Sequence, residues 1–275
     1  MAELTRTTAI SNLRQKAAPL IEEARRMAQD RRPVSAGSIY RDAAAIMQKG
    51  FERLPRAFDR GGEVTDLVRE IVQVRVDSAQ SYGKLKDHQE ASYQLSFAAK
   101  CLENFAVEFD QPEREEAADL LAEALKFRRD AISFSREEGV SALHLAFQLS
   151  YASRTMMFLC DLPHEGDPAT EIDQMVSWRR EAGLIFQRKE EFRHAYFEYY
   201  YLCGLLYKKR AKSPAEIDER AGVSLLSAEM AEAGKLETFR LVRAYRIALK
   251  DYQLAGNQEM AQKIAAKMST FSSLL

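Results

Sequence analysis

The stretch Asp77-Ser78-Ala79-Gln80-Ser81-Tyr82-Gly83-Lys84-Leu85-Lys86-Asp87-His88-Gln89-Glu90-Ala91 decides how this 275-residue chain is read. A small residue, Ala79, is followed three positions later by Tyr82, then by a polar turn. Ala91 comes nine after the tyrosine, and Leu95 and Ala98 continue in phase. Residues three and four apart share a helix face, so the pattern describes two helices joined by a short turn. Their small side chains let the backbones close up, and the large one fills the gap beside them. The best strand candidate, Ile71 to Val76, flows into this pattern without a turn signal and reads as the start of a helix.

The same spacing recurs as Gly183, Phe186, Ala195, Tyr199 and Leu202, and as Leu249, Tyr252, Ala261, Ala265 and Met268 with Asn257 in the turn. Ala24, Met27, Ala36, Tyr40 and Ala43 give a weaker fourth copy. Units of about 34 residues then sit near 17–50, 72–105, 176–209 and 242–275. Proline and glycine punctuate at Pro33, Pro55 with Gly61 and Gly62, Pro112, Gly139, Pro163 to Pro168, Pro214, Gly222 and Gly234. Between these marks the sequence predicts helices over 9–30, 36–53, 64–85, 88–108, 113–135, 139–160, 170–188, 190–211, 214–232, 236–255 and 257–272.

On these residues the chain resembles the tetratricopeptide repeat (TPR) superfamily, with degenerate units. No unit carries tryptophan at the early position of its first helix, the turn proline after the second helix is missing, and 106–175 and 210–241 do not fit the register. Longer-hairpin relatives, such as the attachment-protein adaptors of vesicle fusion, fit nearly as well. The resemblance implies an all-α fold of stacked antiparallel helical hairpins forming a right-handed TPR-like superhelix. It spans 1–275 as a single array, with 106–175 as a long-helix hairpin insertion.

Composition agrees with a folded globular protein rather than a polyanion binder. Apolar residues make up 46% and charged residues 29%, and 40 basic against 41 acidic side chains leave a formal charge of −1. No global field attracts nucleic acid or a membrane surface. Apolar runs are too short to span a bilayer and the N-terminus lacks a secretory pattern, so a cytoplasmic location is expected. Cys101, Cys160 and Cys203 are far apart and read as reduced, buried thiols.

The resemblance also implies a concave groove lined by the first helix of each unit. Its usual groove positions fall on Arg25, on Gln80 and Lys84, on Arg180, Gln187 and Arg188, and on Arg243, Arg246, Lys250 and Gln253. That set is basic, which suits an acidic or phosphorylated peptide of a partner protein. The chaperone-binding subgroup needs asparagines where Gln80, Leu184 and Lys250 stand, which argues against a chaperone tail. Phe192-Arg193-His194-Ala195-Tyr196-Phe197-Glu198-Tyr199-Tyr200-Tyr201 carries aromatics on several sides of one helix, which describes either a central packed helix or an aromatic contact surface.

Enzyme signatures are sparse. Glu191-x-x-His194 has no second copy to complete a di-iron site, and no phosphate-binding loop, dinucleotide fingerprint or nucleophile elbow is present. His88, His144 and His164 lack metal-ligand spacing and read as ordinary surface or packing residues. Cofactors and metals are accordingly not expected. Arg188 with His194 has the spacing of small helical ribonucleases and stands as the enzymatic alternative. The charge runs Glu113 to Glu116 and Lys208 to Arg210 suit a helix N-terminus and C-terminus respectively. A structural subunit, stacking on another chain or on its own copy through terminal hairpins, is the remaining alternative, suggested by the apolar end Met268 to Leu275.

Overall fold

The computed structural model describes residues 2–54, 62–108, 114–209 and 213–272, with the side chains of 2–5 and 272 left aside. Pro55, Gly61, Pro112, Glu113, Arg210 and Ser273 to Leu275 lie outside the described residues. The described residues form eleven α-helices: α1 (Ala2–Gln29), α2 (Pro33–Phe51), α3 (Glu63–Gly83), α4 (His88–Glu108), α5 (Arg114–Ser135), α6 (Ala142–Cys160), α7 (Pro168–Arg188), α8 (Phe192–Lys208), α9 (Pro214–Ala233), α10 (Thr238–Leu254) and α11 (Gln258–Ser272). No strand occurs among the described residues. The helices group into two compact units, Met1–Gly166 and Asp167–Leu275.

Within each unit, helices adjacent in sequence pack on one another. The short turns explain why, and most of those turns share one backbone design. Arg31, Lys86, Glu190 and Lys235 adopt left-handed conformations. The next residue's N–H reaches back to the helix it left: Arg32 to Met27 O, Asp87 to Tyr82 O, Glu191 to Phe186 O and Leu236 to Ala231 O, all at 2.8–3.1 Å. Asn257 closes on Tyr252 O in the same way behind Gly256. This six-to-one closure satisfies the helix-end carbonyl and reverses the chain. The accepting carbonyls of Met27, Tyr82, Phe186 and Tyr252 belong to the large residues of the sequence pattern, and the alanines nine later begin the next helix's interface.

Those small residues are where backbones meet. Ala79, Ala91, Ala195 and Ala261 are buried, as is Gly183. A Cβ on Gly183 would stand 2.9 Å from Cε1 of the buried Tyr199 ring, and one on Gly37 would stand 3.1 Å from Tyr82. In the first unit the core runs from Ile10 through Phe51, Leu67, Ile71 and Leu102 to Leu120, with Phe51 and Phe105 edge to face at 6.4 Å.

Helix ends differ from the sequence expectation by up to seven residues, and two of the differences have plain causes. Helix α1 begins at Ala2 rather than at 9, because Thr7 Oγ1 donates to Glu63 Oε2 (2.7 Å) and Arg14 pairs with Glu70 (2.7 Å), which ties its first turns to α3. Gly139 is left-handed and belongs to the turn, so α6 begins only after Ser141. Two other starts carry full signals: Asp167 accepts from Ala169 and Thr170 N–H ahead of Pro168, and Ser213 and Glu216 form a capping box ahead of Pro214.

Two glycine substitutions test this packing. Gly183→Ala gains helix propensity but drives a methyl into Tyr199, and is expected to destabilise by about 1–3 kcal/mol in urea unfolding. Gly204→Ala adds a methyl in open space on α8 and is expected to stabilise by up to about 1 kcal/mol.

Candidate functional site

Alternate helices in each unit face one another, and the two sides are built differently. On the odd-numbered side, exposed ion pairs clip neighbours together: Arg14–Glu70, Arg69–Glu123 and Arg180–Glu219, with Lys267–Glu232 linking α11 to α9. Each contributes about 0–1 kcal/mol. On the even-numbered side, arginines rise from below against exposed aromatic rings.

Those arginines are buried, which amphipathic patterning does not anticipate. On α3, Arg75 donates from Nη1 to Gln94 Oε1 (2.6 Å) and from Nη2 to Gln48 Oε1 (2.9 Å), with its guanidinium 4.8 Å from the Phe97 ring centroid. On α5, Arg128 donates from Nε and Nη2 to Glu103 (2.9 and 3.0 Å) and from Nη1 to Ser96, beneath Tyr151. In the second unit, Arg179 donates to Glu198 (2.7 Å) beneath Tyr201. Arg220 donates to Asp251 (3.2 Å) beneath Tyr207, while Ser224 and Tyr207 also donate to that carboxylate.

The arrangement repeats in sequence: arginine, acceptor 19 residues on, aromatic 22 residues on, in both Arg75-Gln94-Phe97 and Arg179-Glu198-Tyr201. That spacing was the available signal. The first copy replaces the carboxylate by an amide, so burial without a directly bonded anion lowers the Arg75 pKa to about 10.

Two adjoining pockets open beside these clamps in the first unit. One, about 460 Å³, lies between α4, α5 and α6, with Tyr93, Phe97, Phe147 and Tyr151 as aromatic walls and Lys100, Arg128 and Arg154 as cations. The other, about 430 Å³, lies across the Tyr93 and Phe97 ridge and holds Arg41, Arg75, Asp42 and Glu90. His144 and Gln148 line the larger pocket and are both buried. His144 Nε2 stands 2.8 Å from Ser92 Oγ, and the ring meets Tyr93 edge-on at 4.2 Å. His144 is therefore part of a buried polar network beside a cavity. Burial lowers its pKa. Cys101 and Cys203 are buried, which pushes both thiols up to about 12.

Within the second unit the expected groove residues divide between two layers. Arg25 pairs with Glu22 on α1 (2.6 Å), and Lys84 caps the end of α3. Arg180 faces α9 through Glu219, Gln187 accepts from Tyr199 Oη (2.8 Å), and Arg188 is exposed on the last turn of α7. Arg243, Arg246 and Lys250 lie on α10, an even-numbered helix, with Arg243 over the Tyr200 ring at 5.5 Å. On the repeat template α7 and α10 are both first helices, but α9 lies between α8 and α10, so that register slips by one helix. His194 stacks on Phe186 at 5.1 Å with Nδ1 3.3 Å from Glu191 Oε2. The aromatic run divides: Tyr196, Tyr199 and Cys203 are buried, whereas Tyr201 is 43% exposed.

The chain is similar in fold to solved structures. BtubC (BKLC) from P. vanneervenii matches with a TM-score of 0.52 at 14% identity, covering 96% of this chain and 91% of that one. A putative kinesin light chain with nearly identical TPR-like repeats, from Podosopora anserina, gives 0.38 at 12% identity, covering 94% and 95%. A signal-transduction ATPase with a tetratricopeptide-repeat sensor, from Pyrococcus horikoshii, gives 0.39 at 15% identity, covering 99% of this chain and 41% of that one. The first likeness is one of fold, and the other two are too loose to add to it. No family model matches the chain, and no curated protein is similar in sequence. The fold is a helical repeat of antiparallel hairpins among the described residues. No helix among the described residues is long and apolar enough to cross a membrane.

Glu103 also accepts from Thr155 and lies 3.4 Å from Arg154. Glu103→Ala strands Arg128 without its carboxylate and is expected to cost about 3–5 kcal/mol by denaturant titration. Unfolded, His144 takes up a proton around its ordinary pKa of 6.5, whereas the folded chain does so only at lower pH. Stability should then fall as pH drops through that range. Melting is expected at a lower temperature near about pH 5.5 than near about pH 7.5, with a shallower dependence in His144→Gln.

Proposed function

We propose that the protein is a binding scaffold that holds an acidic segment of a partner protein, bearing carboxylates or phosphates, against the face shared by α8 and α10. The observation that carries this reading is a stripe of cations beside a stripe of aromatic rings. Arg243, Arg246 and Lys250 recur at three and seven residues on one side of α10. Arg243 lies over Tyr200, and Arg240 lies over both Phe197 (5.6 Å) and Phe239 (5.3 Å). Phe239 is 60% exposed. Arginine and aromatic side chains that lose little freedom on contact are the usual anchors of protein interfaces. Converging cations supply charge-assisted bonds and faster encounter with an acidic segment. Binding without turnover follows from this reading.

The test uses the full chain and the triple variant Arg243→Glu, Arg246→Glu, Lys250→Glu as baits in the native cell, with each recovered protein then purified and titrated against both. The expected result is a partner whose affinity for wild type falls with salt and falls about tenfold or more in the variant. Equal affinity and equal salt dependence for both baits would contradict it.

A further inference from the structure

The face that α4 and α6 form over α5 leaves its largest side chains in solvent. Tyr93 and Phe97 on α4 and Tyr151 on α6 stay 38–39% exposed, and with Phe147 they wall a cavity of about 460 Å³. Two of these rings are held from below. Phe97 lies over the Arg75 guanidinium at 4.8 Å and Tyr151 over that of Arg128 at 5.0 Å, and hydrogen bonds to Gln94 and Glu103 fix both guanidiniums. Rings already held in place lose little freedom when a partner covers them, which makes them suitable interface anchors.

The cations beside the rings have donors to spare. Arg154 and Lys100 each keep 47% of their side chain exposed. Among the described residues the Arg154 guanidinium makes one hydrogen bond, 3.4 Å to Glu103 Oε2, an oxygen that Arg128 already holds at 3.0 Å. Lys100 Nζ stands 3.8 Å from Glu52 Oε1, too far for a hydrogen bond. Both cations line the cavity with Arg128, and among the described residues no carboxylate does. The adjoining cavity across the Tyr93 and Phe97 ridge is different, because Asp42 and Glu90 balance Arg41 and Arg75 there. A continuous polyanion such as single-stranded RNA finds no net attraction on that side, whereas a partner with its charge confined to one place needs none.

We propose that this face docks a segment of a partner protein, with an aromatic side chain of the segment in the cavity and a neighbouring carboxylate bonded to Arg154 and Lys100. Stacked and edge-on contacts with the four rings suit an aromatic anchor, and charge-assisted bonds fix its acidic neighbour. The site belongs to the first unit and rests on none of the α8 and α10 residues. It also differs from that face in demanding an apolar anchor as well as charge.

The test uses the full chain carrying Arg243→Glu, Arg246→Glu and Lys250→Glu, which removes the other cationic face from the measurement. The probe is a capped peptide with one phenylalanine between two pairs of glutamates in a glycine and serine frame. One control peptide replaces the glutamates by glutamine, and another replaces the phenylalanine by alanine. Calorimetric titration is expected to give saturable one-to-one binding of the probe and about tenfold weaker binding of each control. Adding Lys100→Gln and Arg154→Gln is expected to abolish the preference for glutamate over glutamine and to keep the preference for phenylalanine over alanine, with thermal melts checking that this variant stays folded. No saturable binding, equal affinity for the probe and either control, or an unchanged glutamate preference in that variant would each overturn the proposal. So would an oligouridylate that binds more tightly than the probe and is lost in the same variant.

Discussion

Everything in this fold depends on how closely two helix backbones approach just after a tight turn. Gly183 shows the constraint most plainly, because the ring of Tyr199 occupies the place of the side chain that glycine lacks. The turn and the contact are one device. A left-handed residue and a six-to-one hydrogen bond reverse the chain, and after the closing carbonyls of Met27, Tyr82, Phe186 and Tyr252 an alanine nine residues on then enters the interface. Non-glycine residues hold this left-handed conformation at Arg31, Lys86, Glu190 and Lys235, which carries a local cost of about 1–2 kcal/mol each. Burial of the adjoining small-residue interfaces offsets it.

Apolar packing alone would leave the hairpins free to slide, since alanine-rich faces are nearly uniform. The buried arginines restrict that freedom. Arg128 with Glu103, Arg179 with Glu198 and Arg220 with Asp251 each join different helices through directional bonds that only one register satisfies. A buried ion pair adds little net stability over a well-packed apolar pair, but a mismatched one is costly. The aromatic rings that cover these guanidiniums are thereby held at the surface. The same interaction that sets the register also presents Phe97, Tyr151, Tyr201 and Tyr207 to solvent.

Helix positions and hairpin pairing were legible in the sequence because both rest on local signals. Pro33, Pro168 and Pro214 stand at or beside helix starts, and the pattern from Ala79 to Ala91 encodes a turn together with its two flanking faces. The early start of α1 was not legible, since bonds from Thr7 and Arg14 to α3 create it. The layer to which each helix belongs was missed for a similar reason. Arg180 and Arg243 look equivalent on a repeat template, yet the intervening α9 sets them on opposite layers. Arg75, Arg128, Arg179 and Arg220 were hidden because arginine ordinarily marks a solvated face. His144 and Gln148 gave no local signal, as their role depends on a cavity that three helices must first enclose.

If close backbone approach after the turns holds each unit together, the small-residue contacts there are its most firmly held part. Native-state hydrogen exchange measures this residue by residue. The amides of Ala91 and neighbouring α4 residues in the first unit, and of Gly183 and neighbouring α7 residues in the second, are expected to exchange only when the whole unit opens. Exchange at those amides as fast as in the first turn of α11 would contradict it.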